Sequence, residues 1–184
     1  MGLKKIDGLW YVVFRGSTSV LDWVHNLEAW LIDVPGMGRV HHGFYVSMPE
    51  IWPKIISAIG SDPWIVTGHS RGAGEATVCA AMAFLSSQPP LSWILFGSPR
   101  CGDQTFYDVI AKVNGYSFVN GSKDGQSADA VTELPIYVPE IFPYIGVTPV
   151  TFISNDPGPE DAWPGSLRFH HMQLYQRVVG THTE

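Results

Sequence analysis

The chain has 184 residues, enough for one domain with a sizeable core, and its net charge of −6 without any Lys/Arg cluster argues against a nucleic-acid partner. No apolar run approaches the roughly 20 residues of a membrane-spanning helix. The start, Met1-Gly2-Leu3-Lys4-Lys5, lacks the apolar stretch of a signal peptide, so the expected location is cytoplasmic or that of a mature secreted chain.

Lys4 to Phe14 reads as a hairpin turning on Asp7-Gly8, a favoured two-residue turn, and the apolar run Leu9 to Phe14 predicts a buried central strand. Val20 to Trp30 carries apolar residues at helical spacing. Val40 leads into a second helical pattern, Phe44 to Ile59, in which Pro49 and Pro53 predict a kink or a late start. Trp64 to Thr67 reads as a strand and Arg71 to Ser86 as an alanine-rich helix that buries Cys79. Ser92 to Phe96 is a further strand, Gln104 to Val113 a short helix, and Gly115 to Asn120 another strand. Residues 121–128 form a polar loop, 131–150 edge strands or extended loop, and 155–166 a Pro/Gly-rich loop, before a closing helix from Phe169 to Val179. Strands alternating with helices predict an α/β architecture with a mostly parallel sheet, in one domain spanning 1–184. Cys79 and Cys101 give neither a disulfide framework nor metal spacing, and no metal or cofactor is called for.

Gly68-His69-Ser70-Arg71-Gly72 carries the chemistry. The pattern G-x-S-x-G between a strand and a helix is the context of a nucleophile elbow: a sharp turn exposes the serine hydroxyl, and the following helix offers backbone N–H groups to an oxyanion. Glycines at 68 and 72 leave room for the turn. A serine needs a base within reach and an acid to orient that base. With the chain order Ser, acid, His, the histidines at 25, 41, 42 and 69 are discarded. His170, His171 and His182 remain, the last too near the chain's end to be well ordered. The acid should follow the strand at 116–119, where Asp129 at the return to apolar sequence is favoured over Asp124 in the polar loop. Oxyanion donors are expected from the N–H of Arg71 and from the loop Phe14-Arg15-Gly16-Ser17.

Several of these segments together resemble the class 3 lipase family of the filamentous-fungal triacylglycerol lipases. The similarity is carried by Val12-Val13-Phe14-Arg15-Gly16-Ser17-Thr18-Ser19, Asp22-Trp23-Val24-His25-Asn26-Leu27, Val40-His41-His42-Gly43-Phe44, Phe96-Gly97-Ser98-Pro99-Arg100-Cys101-Gly102 and Asp129-x-Val131-x-x-Leu134-Pro135. It implies an α/β-hydrolase fold, Ser70 as nucleophile, Asp129 as acid, and Ser17 with Arg71 as oxyanion donors. It implies His170 as base, through His170-x-Met172-x-x-Tyr175, with His171 as the rival. Residues 18–30 would correspond to the fungal lid, which leaves transient contact with a lipid surface open. The sequence departs from the fungal pattern in starting almost at the oxyanion strand, in placing Arg71 where an apolar residue is usual, and in lengthening the loop before the acid. The implied activity is hydrolysis of acylglycerol-type esters, with a lidless short-chain or feruloyl-type carboxylesterase as the alternative and an inactive binding module as a third reading.

Overall fold

A computed structural model describes residues 1–17, 30–122, 128–135, 143–154, 169–170 and 172–180. The expected hairpin is present: β1 (Gly2–Ile6) runs antiparallel to β2 (Leu9–Phe14) across the Asp7-Gly8 turn. The proposed helix at Val20–Trp30 lies outside the described residues except for Trp30. Between it and the next helix the chain forms a small hairpin that the sequence reading did not name, β3 (Leu31–Val34) and β4 (Gly38–His41). The pattern from Phe44 to Ile59 divides into a single turn α1 (His42–Tyr45) and a later helix α2 (Met48–Ile59), with Pro49 in its first turn, where a missing N–H costs nothing.

The main sheet continues with β5 (Trp64–His69), β6 (Ser92–Phe96), β7 (Gly115–Gly121) and β8 (Val150–Ser154). The remaining α-helices among the described residues are α3 (Arg71–Leu85), α4 (Gln104–Ile110) and α5 (Met172–Gly180). Strand order is β1-β2-β5-β6-β7-β8, parallel from β2 onward. Of the segment 131–150, read as edge strands or extended loop, residues 130–133 form a 3-10 turn that the Asp129 side chain caps by accepting from Val131 N. Residues 143–149 run as loop into β8, which pairs with β7 from Val150, and 136–142 lie outside the described residues.

Along β5 every second residue, Trp64, Val66 and Gly68, is buried beneath α3, while Ile65, Thr67 and His69 are half-buried on the other face. Small residues Ala73, Ala76, Ala80 and Ala83 let α3 lie close to the sheet. The second face is less covered: Val13 is 41% exposed, so β2 is not the fully buried strand that its apolar run suggested. On that face α5 packs Tyr175 edge-on against His69 and Phe96.

His41, the last residue of β4, is buried, stacked on Phe44 at 4.2 Å, and neither ring nitrogen has a hydrogen-bond partner among the described residues. Burial, with the neighbouring His42 acting in the same direction, pushes its pKa down to about 4. The unfolded chain therefore takes up a proton near pH 6.5 that the native state refuses until pH 4, and stability falls with pH across that window. Between pH 7.5 and 5 this one group should cost about 2 kcal/mol. Urea denaturation of wild type and His41→Phe at the two pH values checks it: the loss should shrink in the variant by that amount.

Candidate active site

The carboxyl ends of four parallel neighbours, β2, β5, β6 and β7, place the loops that matter side by side, as ligand sites in open parallel sheets require. Ser70 sits between β5 and α3 with φ 58° and ψ −131°, a sparsely populated conformation for a residue with a side chain. Ser70 N donates to Phe96 O of β6 at 3.0 Å, and its carbonyl accepts from Ala73 N at 2.8 Å. The flanking glycines are needed for space. A Cβ on Gly68 would lie 2.2 Å from Gly72 O, and one on Gly72 would lie 2.3 Å from Phe14 O. The Ser70 hydroxyl is buried without a hydrogen-bond partner among the described residues, at the positive end of α3.

Asp129 and His170 are both completely buried, and His170 Nδ1 lies 2.6 Å from Asp129 Oδ2. A carboxylate accepts, so Nδ1 carries the proton and the neutral ring has its lone pair at Nε2. Asp129 Oδ2 also accepts from the Tyr175 hydroxyl at 2.6 Å, and Oδ1 accepts from Val131 N at 3.0 Å. Burial and the adjacent Asp129 raise the Tyr175 pKa well above its ordinary value, which keeps the hydroxyl a donor. Asn120, at the end of β7, ties the pieces together: its N–H donates to Tyr175 Oη at 3.2 Å, its carbonyl accepts from Asp129 N at 2.8 Å, and its amide donates to Phe169 O at 3.0 Å. Gly97 has φ 54°, and a Cβ there would lie 2.6 Å from Asp129 Oδ2 and 2.8 Å from His170 Nδ1.

His170 lies in a 3-10 stretch, 169–170, just ahead of α5, which starts at Met172. The rivals Asp124, His171 and His182 lie outside the described residues, as does the proposed lid apart from Trp30. Ser17 and Gly16 follow β2. Gly16 lies against the elbow, since a Cβ on it would be 2.8 Å from His69 O and 3.3 Å from Ser70 Cβ. A cavity of about 470 Å³ opens beside this loop, lined by Phe14, Gly16, Ser17, His69, Phe96 and Met172. Arg71 directs its side chain away: Nε pairs with Glu75 Oε1 at 3.1 Å, one turn along α3. That pair offsets a cation at a helix N-terminus, where the dipole disfavours it.

Burial pushes the Cys101 thiol up to about 12 and the Cys79 thiol higher still, so neither supplies a thiolate nucleophile at neutral pH. No group of three or more metal-ligating side chains is found among the described residues. Sequence reasoning gave no role to Asn120 or Gly97, quoted Tyr175 only within a motif, and set His69 aside. The signal available for Asn120 was its place at the carboxyl end of a predicted strand.

Residues 11–137 match the family Lipase (class 3). A lipase of Rhizomucor miehei is 31% identical over 113 residues, covering 54% of this chain and 31% of its own length. Secreted mono- and diacylglycerol lipase 1 of Fusarium solani is 31% identical over 163 residues, covering 82% of this chain and 45% of its own. The chain thus spans less than half the length of both relatives. Among solved structures, Rhizomucor miehei triacylglyceride lipase superposes with a TM-score of 0.68 at 25% identity, over 83% of this chain and 61% of that one. A lipase from Rhizopus microsporus var. chinensis superposes with a TM-score of 0.67 at 24% identity, over 84% and 57%. The fold is that of an α/β-hydrolase.

Tyr175→Phe leaves the buried Asn120 N–H and one side of Asp129 without a partner and should cost about 1–3 kcal/mol of stability, measured by urea denaturation. Gly97→Ala drives a methyl into the Asp129–His170 contact; it should slow labelling of Ser70 by a fluorophosphonate about 100-fold, followed by mass spectrometry.

Proposed function

The chain belongs to the class 3 lipase family, and from that membership and the site geometry we propose that it is a serine esterase of the acylglycerol-lipase type, acting through an acyl-enzyme on Ser70. The observation that carries the reading is a strained serine at a helix N-terminus, on the same sheet edge as a fully buried Asp129–His170 pair. In this reading His170 Nε2 takes the Ser70 proton as the hydroxyl attacks an ester carbonyl. Asp129 holds the imidazole in the Nδ1–H form and stabilises the imidazolium. The carbonyl oxygen becomes an oxyanion between the N–H of Arg71, which has no acceptor within its helix, and the loop at Ser17. His170 then returns the proton to the leaving alcohol. Water, deprotonated by the same ring, releases the acid and restores Ser70. Each oxyanion donor is worth about 2.7–4 kcal/mol at the transition state in comparable sites.

The relatives, a lipase and a mono- and diacylglycerol lipase, support acylglycerols as the substrate class. The cavity beside the oxyanion loop adds apolar walls, Phe14, Phe96 and Met172, suited to an acyl chain.

Ser70→Ala should remove nitrophenyl-ester turnover and fluorophosphonate labelling together; retained turnover in that variant would sink the assignment. A panel of nitrophenyl esters and emulsified acylglycerols then reads chain length. Preference for long chains supports the lipase reading, and turnover confined to soluble short esters favours the carboxylesterase.

A further inference from the structure

His69 stands inside the elbow motif without a part in the mechanism, yet its ring touches most of the machinery. Its Nε2 lies 2.8 Å from His170 O. A carbonyl oxygen only accepts, so His69 Nε2 carries a proton and donates it. The ring is stacked on His170, centroids 4.6 Å apart at 24°, and meets Tyr175 edge-on at 5.6 Å. On its other side the His69 carbonyl and Nδ1 lie against Gly16 of the oxyanion loop, where a Cβ would be 2.8 Å and 3.4 Å from them.

The consequence concerns the base. Phe169 and His170 form a short 3-10 stretch ahead of α5. Both of their carbonyls are tied to the sheet: Phe169 O accepts from Asn120 Nδ2 at 3.0 Å, and His170 O accepts from His69 Nε2. Holding two successive carbonyls sets the peptide planes on either side of the His170 Cα, and with them the direction of its side chain. Asp129 then sets the ring's rotation. We infer that His69 is a positioning residue that fixes the backbone of the catalytic base through its Nε2–H donor, linking base, nucleophile elbow and oxyanion loop through one side chain. The inference rests on the reading of His170 as base.

Two substitutions separate the donor from the ring. His69→Gln keeps an amide nitrogen near the Nε2 position and loses the stack; His69→Phe keeps a ring and loses the donor. Both are assayed as the full chain on a soluble nitrophenyl butyrate, with active sites counted by fluorophosphonate titration and folding checked by thermal melting. His69→Phe should lose kcat per titrated site about 10- to 100-fold with KM changed less than about threefold, because a misdirected base costs chemistry and not binding. His69→Gln should keep kcat within about threefold of wild type. Wild-type kcat in His69→Phe, or a loss in His69→Gln as large as in His69→Phe, overturns the inference. If His69→Phe does not fold, His69→Gln decides: retained kcat supports the donor role and a loss beyond about tenfold overturns it. Ser70→Ala run alongside keeps the two readings apart. Turnover that survives in Ser70→Ala removes the serine mechanism itself, whereas Ser70-dependent turnover unaffected by His69→Phe removes only the role of His69.

Discussion

A carboxylate with no exposed surface is tolerated only where donors replace the water it has lost. Asp129 meets that condition with three donors, Val131 N–H, Tyr175 hydroxyl and His170 Nδ1–H. Each donor belongs to a different piece of the fold: the 3-10 turn that Asp129 itself caps, the interior of α5, and the segment before α5. Satisfying one buried charge therefore docks the carboxy-terminal helix and orients the imidazole in the same act. Removing any one donor leaves the charge short of a partner, which is why the site and the packing of α5 cannot be tuned independently.

The sheet makes this arrangement reachable. Parallel pairing of β2, β5, β6 and β7 brings their carboxyl ends to one edge, although the loops that leave them are far apart in sequence. Strand β6 is central to it. Its Phe96 carbonyl holds Ser70 N–H, and the next residue, Gly97, gives up a side chain so that Asp129 and His170 can meet above it. Two loops far apart in sequence are thereby held by consecutive residues of one strand end.

How much of this the sequence disclosed depends on the range of the interaction. The elbow was legible because its requirements are local: Gly68 and Gly72 clear the turn within five residues, and strand and helix flank it directly. Asp129 was legible as the first residue of an ordered stretch after a polar loop. His170 and His171 were indistinguishable from periodicity alone, and only the resemblance to a family separated them. Tyr175 and Asn120 escaped for a plain reason: their contacts reach across 46 and 55 residues, and a tyrosine in an amphipathic helix looks like core until the buried acid beside it is seen. The β3–β4 hairpin was missed because four-residue strands carry too few apolar positions to display a period. His69 was set aside by asking only whether it could be the base, a question about proton transfer, when its contacts concern position.

The strain at Ser70 fits the same logic. A side-chain-bearing residue at φ 58° persists only where its surroundings allow no alternative. Here the residue before it ends a strand paired on both sides, its own N–H is held by β6, and the residue after it begins a fifteen-residue helix packed on the sheet. None of these restraints depends on the hydroxyl, so the backbone that presents Ser70 is set by the strands, and the side chain is left without structural duties. The Arg71 side chain is likewise removed from the site by its pairing with Glu75, while its N–H remains at the helix end. What the scaffold leaves at this edge is a hydroxyl, an imidazole lone pair and a set of backbone donors, held by groups that are themselves held.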